Sequence, residues 1–566
     1  MSTKSYWQRF ERQRISRRRV LAATGIGAAG LAVAAACGDG GEGGEPQPTG
    51  DGSGAPNYGG RFIYSITGDW ATIDPVTSAG FAPGIFPRIY NCLLDRSRLQ
   101  PDFFYFDLAE EVEQPDEETY LFKIRPGVTI APNTLGIEER DLDGGDVTSY
   151  FDRIAQEDDA IAASFTREWL QSVTVTADQN VELKTNGPYA YTLLRIGAPL
   201  GGCIPPREFF EQGIDIKAQG VGAGPFGTIK AGSFSESGGI IVQRNPNYYR
   251  TAANGDQLAY LDEVEAVRID DRLPRRLAFL DEQIHSYGAE DREETNGLLA
   301  DVPDALVTEV PANTYISFTM NPEKDPWTDE RIRKAALFAL NRQEFVDLVV
   351  GPDGGRPNGL VHWPLGDFAL SPEELEELQP YDPARSRQLI KDATGEDTID
   401  IKVMYPSSDI EFHDKHLPIF LKQMEEAGFN VQEDLQDFGS WYGNYQDLNY
   451  DASLSLNQIY ETPEVSLNWH SAAGPQGDRN FATGIGGLFP EIEEAITASK
   501  IQTNADDHIA AVLDAQRLIY DKGPAFLPIM SWTAFTLFHS FVKNVPQGLG
   551  ATGLYLTNEM WLDQGV

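Results

Sequence analysis

The stretch from residue 399 to residue 428 reads IDIKVMYPSSDIEFHDKHLPIFLKQMEEAG and decides the class of the fold. Its first seven residues, 399–405, alternate in the way that is typical of a strand. Apolar residues then recur at helical spacing over 417–427, and Gly428 follows, where helices commonly end. A second strand pattern comes at 450–456. Strand, helix and strand at this spacing predict an α/β fold.

Similar signals extend along the chain on both sides of this unit. Further strands are predicted at 61–66, 119–124, 173–176, 181–183, 239–242 and 264–269. Further helices are predicted at 332–340, 383–393 and 506–521, the first two capped by Asp329 and Asp382 and the second ending near Gly395. Because single cores stop growing at about 250–300 residues, the 566-residue chain is expected to form two or three domains.

The charge of the chain is strongly negative. The net charge is −41, and residues 1–36 contribute +6 to it, so the remainder carries −47. Such a surface disfavours nucleic acid and anionic lipid headgroups as partners. It suits cationic or neutral ligands, or a saline medium, and solubility alone is the alternative explanation.

The N-terminus has the pattern of an export signal. Residues 16–21 read SRRRVL, and an Ala- and Gly-rich apolar run continues to Ala36. A basic region, a short apolar region and small residues before a cleavage point are typical of a secretory signal. The run is shorter and less apolar than the roughly 20 residues of a membrane span. The arginine pair before Val20 and Leu21 resembles a twin-arginine signal, so residues 1–36 are predicted to be a signal peptide.

Cys37 follows the predicted cleavage point directly. The preceding Ala34, Ala35 and Ala36 resemble a loose lipobox, although Leu is more usual at the first position. Plain cleavage is the alternative, and the rarity of cysteine in this chain favours lipidation. Residues 38–57 contain little besides Gly, Pro, Glu and Asp, a composition typical of a flexible tether. The predicted location is extracytoplasmic, with the protein lipid-anchored to the outer face of the cell membrane.

Signatures of catalysis, metals and cofactors are sparse. The sequence has no zinc-protease, nucleophile-elbow or P-loop motif. The glycine pattern at 222–227 contains Pro225 where a dinucleotide fingerprint needs a helix start, and His413 and His416 are interpreted as an exposed helix start. No catalytic residue, metal site or cofactor is predicted. Cys92 and Cys203 could form a disulfide outside the cell, but buried thiols are the plainer interpretation.

A series of short motifs runs from about Gly59 to Val545. They are Gly59-Gly60-Arg61-Phe62, Ile73-Asp74-Pro75, Asp107-Leu108-Ala109-Glu110 with Tyr120 to Gly127, Asp146-Val147, Gly222-Ala223-Gly224-Pro225-Phe226, Arg244-Asn245-Pro246-Asn247-Tyr248-Tyr249, Asn321 with Trp327 and Asp329, and Ala339-Leu340-Asn341-Arg342. In this order they resemble family 5 of the extracellular solute-binding proteins of ABC importers, which includes oligopeptide-, dipeptide- and nickel-binding proteins.

The resemblance implies a periplasmic-binding-protein-like fold with two large α/β lobes, a hinge and a small extra lobe. Lobe one would comprise 58–94, 185–315 and 530–566, lobe two 95–184, and lobe three 316–529. A solute would lie in the cleft between lobes one and three, which close over it. The implied partners are a small-molecule or peptide-like solute and the permease subunits. The protein is expected to be a monomer that binds no nucleic acid.

Aromatic side chains near the implied cleft are the candidate ligand contacts. They are Trp70, Tyr405, Trp441, Tyr460, Trp469, His470 and Trp532. Trp532 is expected to end the strand that begins at Leu527. Packing in the core is the alternative for each of them.

One departure from the family pattern concerns the ligand. The resemblance implies that peptide-binding members hold the peptide ammonium with an aspartate just before a tyrosine, and Ile459 stands at that place, before Tyr460. An unpaired buried charge costs several kcal/mol, and Glu461 could replace the aspartate only if the loop is shifted. A peptide held by its amino terminus is therefore doubtful, and a sugar, a modified peptide or another organic solute is favoured.

The leading hypothesis is a substrate-binding lipoprotein that is not an enzyme. An exported hydrolase on the same scaffold is one alternative, and a ligand sensor for a membrane receptor is another. A carboxylate or histidine pair with perturbed pKa in the cleft would favour the enzyme.

Overall fold

The computed structural model describes residues 55–67, 72–77, 84–96, 104–157, 160, 165–197, 202–235, 238–407, 410–458, 462–472, 484–545 and 557–563. The predicted signal peptide, Cys37 and nearly all of the predicted tether lie outside these residues.

Nineteen strands are found in the described residues. In chain order they are Arg61–Ile66 (β1), Leu94–Arg96 (β2), Phe104–Phe106 (β3), Ala109–Glu113 (β4), Thr119–Ile124 (β5), Leu170–Val175 (β6), Val181–Thr185 (β7), Thr228–Ile229 (β8), Ile240–Gln243 (β9), Glu263–Arg268 (β10), Ser286–Ala289 (β11), Leu306–Met320 (β12), Gly355–Pro357 (β13), Ile399–Pro406 (β14), Phe429–Gln436 (β15), Ala452–Gln458 (β16), Phe526–Phe538 (β17), Val542–Lys543 (β18) and Trp561–Leu562 (β19). The predicted strands 61–66 and 119–124 are confirmed with their bounds.

Helices cover the faces of the sheets. The α-helices are Phe86–Ile89 (α1), Gly144–Gln156 (α2), Thr192–Ile196 (α3), Glu208–Glu211 (α4), Arg272–Leu280 (α5), Arg292–Asp301 (α6), Glu330–Ala339 (α7), Arg342–Val349 (α8), Pro372–Leu378 (α9), Pro383–Thr394 (α10), Ile410–Glu426 (α11), Phe438–Gln446 (α12), Pro463–Asn468 (α13), Pro490–Lys500 (α14) and Ala505–Asp521 (α15). Short 3-10 segments lie at Trp363–Phe368 and Ile485–Gly487, and a π-helical turn lies at Phe165–Trp169.

The predicted helix caps are present. The side chain of Asp329 accepts a hydrogen bond from the backbone N–H of Arg331, and Asp382 accepts one from Arg385, so each satisfies a free donor of a first helical turn. Gly395 ends α10 in the left-handed conformation that glycine adopts without strain. Because these signals are local, the sequence alone locates α7 and α10.

Two predicted boundaries are wrong. Helix α11 begins at Ile410 and not at Leu417, and Pro418 lies inside it. Proline disfavours the helical conformation of the preceding residue, so the pattern indicated a start at Leu417. Trp532 does not end a strand, because β17 continues through it to Phe538.

One mixed sheet of eleven strands spans most of the molecule. Its order is β15-β14-β16-β12-β17-β11-β1-β10-β9-β8, with β13 paired to β17. Strands β14 and β15 are parallel, as are β1 and β10, whereas β12 and β17 are antiparallel. The parallel pairs flanked by helices give the sheet the α/β character that the sequence predicts.

The long strands β12 and β17 cross the middle of this sheet. Residues 306–311 of β12 pair with 533–538 of β17, and residues 315–319 pair with 526–531. The register shifts between Pro311 and Tyr315, and again between Ile316 and Ser317. Irregularities of this kind bend and twist a ladder locally. Among the described strands, β12 and β17 alone run through this point, so the sheet can be treated as two halves connected by these two strands.

Each half of the sheet has its own apolar core. The half with β14, β15 and β16 packs around Phe318, Trp327 and Phe420. The half with β1, β9 and β10 packs around Phe62 and Val264. The third large core lies between α2 and a separate four-stranded sheet of order β4-β5-β7-β6.

The loop Gly222–Gly227 needs its glycines for packing. A Cβ atom at Gly222 would lie 2.3 Å from the carbonyl oxygen of Ile89, and one at Gly224 would lie 2.5 Å from that of Arg88. The N–H of Gly224 donates to the Ile89 carbonyl oxygen at 2.9 Å. Close backbone approach, and not phosphate binding, explains this glycine pattern.

Candidate functional site

A buried aromatic cluster lies beside the register shift of β12. It contains Tyr315, Met404, Trp441, Tyr445, Tyr450, Trp469 and Phe526, contributed by β12, β14, α12, β17 and the residues around α13. The rings of Trp469 and Phe526 stack with centroids 4.2 Å apart, and Trp441 stacks on Tyr445 at 5.2 Å. Flat apolar faces are therefore collected at the end of α13.

Several polar atoms beside this cluster are buried and unsatisfied. The Nε1 of Trp469, both ring nitrogens of His470, the Oγ1 of Thr462 and the Oδ1 of Asn468 have no hydrogen-bond partner within the described protein. Each such atom costs about 1–3 kcal/mol, because native proteins rarely leave buried polar groups unpaired. These groups make the ends of α13 a candidate binding site, although unpaired buried polar atoms also occur elsewhere among the described residues.

Two histidines at this place are held neutral. Burial lowers the pKa of His470 to about 3 and that of His362 to about 3. The ring of His362 lies 3.9 Å from that of Tyr315, and the ring of His470 lies 6.2 Å from that of Phe526. A neutral imidazole offers one donor and one acceptor, so these side chains suit amide and hydroxyl groups.

Glu464, in the first turn of α13, is buried in an ion pair. Its Oε2 accepts hydrogen bonds from the Tyr189 hydroxyl at 2.7 Å and from Nη2 of Arg195 at 2.8 Å, and Nζ of Lys500 lies 4.0 Å from its Oε1. Burial by itself would raise the pKa of Glu464, but the charges of Arg195 and Lys500 and the hydrogen bonds outweigh it and lower the pKa below its usual value.

This ion pair joins distant parts of the chain. Arg195 belongs to α3, and the backbone N–H of Ala190 donates to the carbonyl oxygen of Lys500, at the end of α14, at 2.7 Å. The segment 189–195 is thereby attached to α13 and α14. Because the Glu464 carboxylate already has its counter-charge, it is not available to hold a ligand ammonium.

The structure brings some of the predicted residues together and separates others. Trp441, Trp469 and His470 lie in or against the aromatic cluster. Tyr405 is on β14 next to Met404, and its hydroxyl donates to Glu433 of β15 at 2.5 Å. Trp532 packs against the core around Phe318 and Trp327. The remaining candidates Trp70 and Tyr460, as well as Ile459 and Glu461, lie outside the described residues.

Other residues of the cluster were not predicted. Phe526 and Tyr315 are brought together by the pairing of β12 with β17, and His362, outside the cluster, has its ring 3.9 Å from that of Tyr315, so no local pattern indicates these residues. Glu464 lies three residues after Glu461, but only its partner Arg195 distinguishes it from the many acidic residues of the chain.

His416 corrects the interpretation of an exposed helix start. It is buried on α11, with its ring 6.4 Å from that of Phe345. Within the ranges described, no group of three or more His, Cys, Asp or Glu side chains is arranged to hold a metal ion. Within the same ranges, no helix is both long and apolar enough to cross a membrane.

Comparison with known proteins gives consistent matches. Residues 104–478 match the bacterial extracellular solute-binding proteins, family 5, middle part. The glutathione-binding protein GsiB of Salmonella paratyphi A is 22% identical over 333 residues, which are 59% of this chain and 61% of that protein. Di/tripeptide-binding protein 2 of Pseudomonas aeruginosa is 22% identical over 452 residues, which are 73% of this chain and 78% of that protein. The chain thus spans about six tenths of the glutathione-binding relative.

A solved structure shows the same architecture. The ABC transporter-associated periplasmic binding protein DppA of Helicobacter pylori, in complex with a peptide, superimposes with a TM-score of 0.73 at 16% identity. The match covers 90% of this chain and 99% of that one. The predicted α/β fold of periplasmic binding proteins is confirmed.

Proposed function

Because this chain belongs to family 5 of the bacterial extracellular solute-binding proteins, we propose that it is the substrate-binding subunit of an ABC importer. In this proposal it captures an extracellular peptide-like or other organic solute and delivers it to the permease. It acts as a monomer, carried by the lipid on Cys37 at the outer face of the membrane after the signal peptide of residues 1–36 is removed.

The two-strand connection in the large sheet supports a closing cleft. We propose that lobe one comprises 58–94, 185–315 and 530–566, that lobe two comprises 95–184, and that lobe three comprises 316–529. The register shift in β12 and the middle of β17 then act as the hinge. Hinges are commonly a few residues at element ends or irregularities that absorb the change in backbone angles.

The main support for the proposal is the set of unpaired polar atoms at the two ends of α13, beside the aromatic cluster. Trp469, His470, Thr462 and Asn468 present neutral donors and acceptors next to stacked rings. A site of this composition fits a solute with amide or hydroxyl groups and a flat or apolar part. Glu464 pairs with Arg195, and so this carboxylate does not serve as the partner of a charged amino terminus.

Binding without chemical conversion agrees with the burial of three histidine side chains, which favours their neutral form. Burial lowers the pKa of His362, His470 and His508 to about 3 in each case. A general base works best with a pKa near the working pH. Side chains that remain neutral across the physiological range serve as hydrogen-bonding groups.

The proposal is tested by identifying the solute and removing one donor. Mass spectrometry of the purified, denatured protein identifies the bound solute, and titration calorimetry against a peptide pool and an oligosaccharide pool measures affinity. Trp469→Phe keeps an aromatic ring beside Phe526 and removes the indole N–H together with the five-membered ring, so we expect about tenfold weaker binding, or ~1.4 kcal/mol.

Trp327→Phe is the matched control. Trp327 is also buried with an unpaired Nε1, but it stacks on Phe429 in another core. We expect unchanged affinity for this variant. Equal affinities in both variants would remove α13 from the binding site, and absence of any bound or titratable solute would contradict the proposed function.

A further inference from the structure

Two cysteine thiols lie in contact in the core of the β1 half of the molecule. The sulfur atoms of Cys92 and Cys203 are 3.6 Å apart, and both side chains are buried. They belong to segments that are 111 residues apart in sequence. Phe62, Ile89 and Phe226 are members of the same apolar cluster.

The backbone holds these two residues in register. Asn91 and Ile204 form an antiparallel bridge, in which the N–H of Ile204 donates to the carbonyl oxygen of Asn91 at 2.8 Å. Cys92 and Cys203 are the next pair along this bridge, so they are directly opposite each other. Opposed residues of an antiparallel pair have Cβ atoms about 4.5–5.5 Å apart, closer in non-hydrogen-bonded pairs, and a disulfide needs about 3.5–4.5 Å.

The surroundings leave little freedom for the pair to separate. The N–H of Cys92 donates to Asp107, and a Cβ atom added at Gly202 would lie 2.3 Å from the carbonyl oxygen of Ile196. No third side chain among the described residues joins the two thiols in a metal-binding group. The contact therefore suits a covalent link better than metal coordination.

We propose that Cys92 and Cys203 form a disulfide in the exported protein. The oxidant is a molecule that itself contains a disulfide, and it accepts the two electrons that the thiols lose. One thiolate attacks the oxidant to give a mixed disulfide, and the second thiolate then displaces the oxidant's thiol. The two protons of the protein thiols pass to the two sulfur atoms of the oxidant, and the two electrons reduce its disulfide to two thiols. The step rests on the proposed extracytoplasmic location, where such links persist.

The link closes a loop that contains the whole four-stranded sheet β4-β5-β7-β6 and α2. A cross-link over about 100 residues restricts the unfolded chain strongly, so its reduction should lower the melting temperature by about 5 °C. The two ends of lobe two would then be held together by a single covalent link within lobe one.

The experiment uses full-length exported protein, recovered from the outer face of the cell membrane or from the medium. The protein is alkylated with N-ethylmaleimide in concentrated guanidinium chloride without reductant, digested and mapped by mass spectrometry. A linked pair of peptides containing residues 92 and 203, with no alkylation at either, is the expected result. Alkylation of both cysteines in exported protein would overturn the disulfide while leaving the binding function untouched.

A second measurement does not depend on export. Purified reduced protein is refolded with oxidised glutathione, and its melting temperature is compared with and without a phosphine reductant. The reductant should lower the melting temperature of the native chain and leave that of Cys203→Ser unchanged. Failure of oxidised glutathione to link the pair, or an equal response of both proteins to the reductant, would also overturn the proposal.

Discussion

The ion pair between Arg195 and Glu464 gives the sharpest prediction, for the variant Arg195→Met. The two charged groups are 2.8 Å apart, with side chains only 22% and 4% exposed. Methionine keeps most of the volume and the helix propensity of arginine. The substitution removes the positive charge of Arg195. Among the described residues, the buried Glu464 carboxylate then keeps two partners, the Tyr189 hydroxyl and Nζ of Lys500, which lies 4.0 Å away.

Removal of one partner of a buried ion pair costs about 3–5 kcal/mol, since the remaining charge is uncompensated. Lys500 offsets part of this cost, and we therefore expect a loss of about 3 kcal/mol in the free energy of unfolding at neutral pH. Lys391→Met is the control. Its partner Asp397 is 2.8 Å away, but the side chains are 55% and 84% exposed and solvent screens the pair, so no measurable loss of stability is expected.

The pH dependence distinguishes a charge effect from a packing effect. The pKa of Glu464 is lower in the folded protein than its usual value. Its ion pair therefore stabilises the fold at pH values above the usual carboxyl range, and this contribution is lost as the pH falls through the lowered pKa. In Arg195→Met, burial favours the neutral acid and raises the pKa of Glu464, so the difference between the two proteins should shrink as the pH falls from neutral through the usual carboxyl range.

Guanidinium titrations followed by tryptophan fluorescence measure both quantities. They would be carried out on the native chain and the two variants at about pH 7 and about pH 4. A loss for Arg195→Met no larger than that for Lys391→Met would refute the reasoning. If the native chain and Arg195→Met differ by the same free energy of unfolding at both pH values, then lost packing, and not the unpaired charge, causes the loss of stability.

Three further predictions concern export and charge. Replacement of Cys37 with Ala should release the protein into the medium, measured by fractionation; continued membrane attachment would contradict the lipid anchor. Replacement of Arg17 and Arg18 with Lys should stall export, since the twin-arginine pathway depends on the arginine pair; unchanged export would indicate the general secretory route. The melting temperature should rise between low salt and about 1 M salt, where repulsion among the excess negative charges is screened; a flat or falling calorimetric curve would show that the charges are already well dispersed.

Sequence patterns predicted those helices and strands whose positions are determined by neighbouring residues in the chain. The alternation of 61–66, the cap at Asp382 and the glycine at 395 act within a few residues, and each element is where the pattern placed it. The end of β17 could not be predicted, because residues 533–538 are held by pairing with β11 and β12, which are more than 200 residues away. The start of α11 was missed because the helix continues on both sides of Pro418, whereas proline usually marks a helix start or end.

The candidate site was predictable only in part. Trp441 and Trp469 stand out as large aromatics near α13, and they do share a cluster. The unpaired hydrogen-bonding capacity of His470 depends on what surrounds it in three dimensions, so the sequence could suggest the residue but not its state. The pairing of Glu464 with Arg195 spans 269 residues and leaves no trace in either local pattern.

The position of β17 within the large sheet determines when the sheet can finish folding during synthesis of the chain. This strand lies between β12 and β11, yet it follows both of them by more than 200 residues in the chain, at residues 526–538. Until it emerges from the ribosome, β12 and β11 each present an open edge, and open edges invite pairing with other chains. A nascent chain is therefore exposed to aggregation until residue 538 has been made, and a truncation before residue 526 would leave the two halves of the sheet connected by β12 alone.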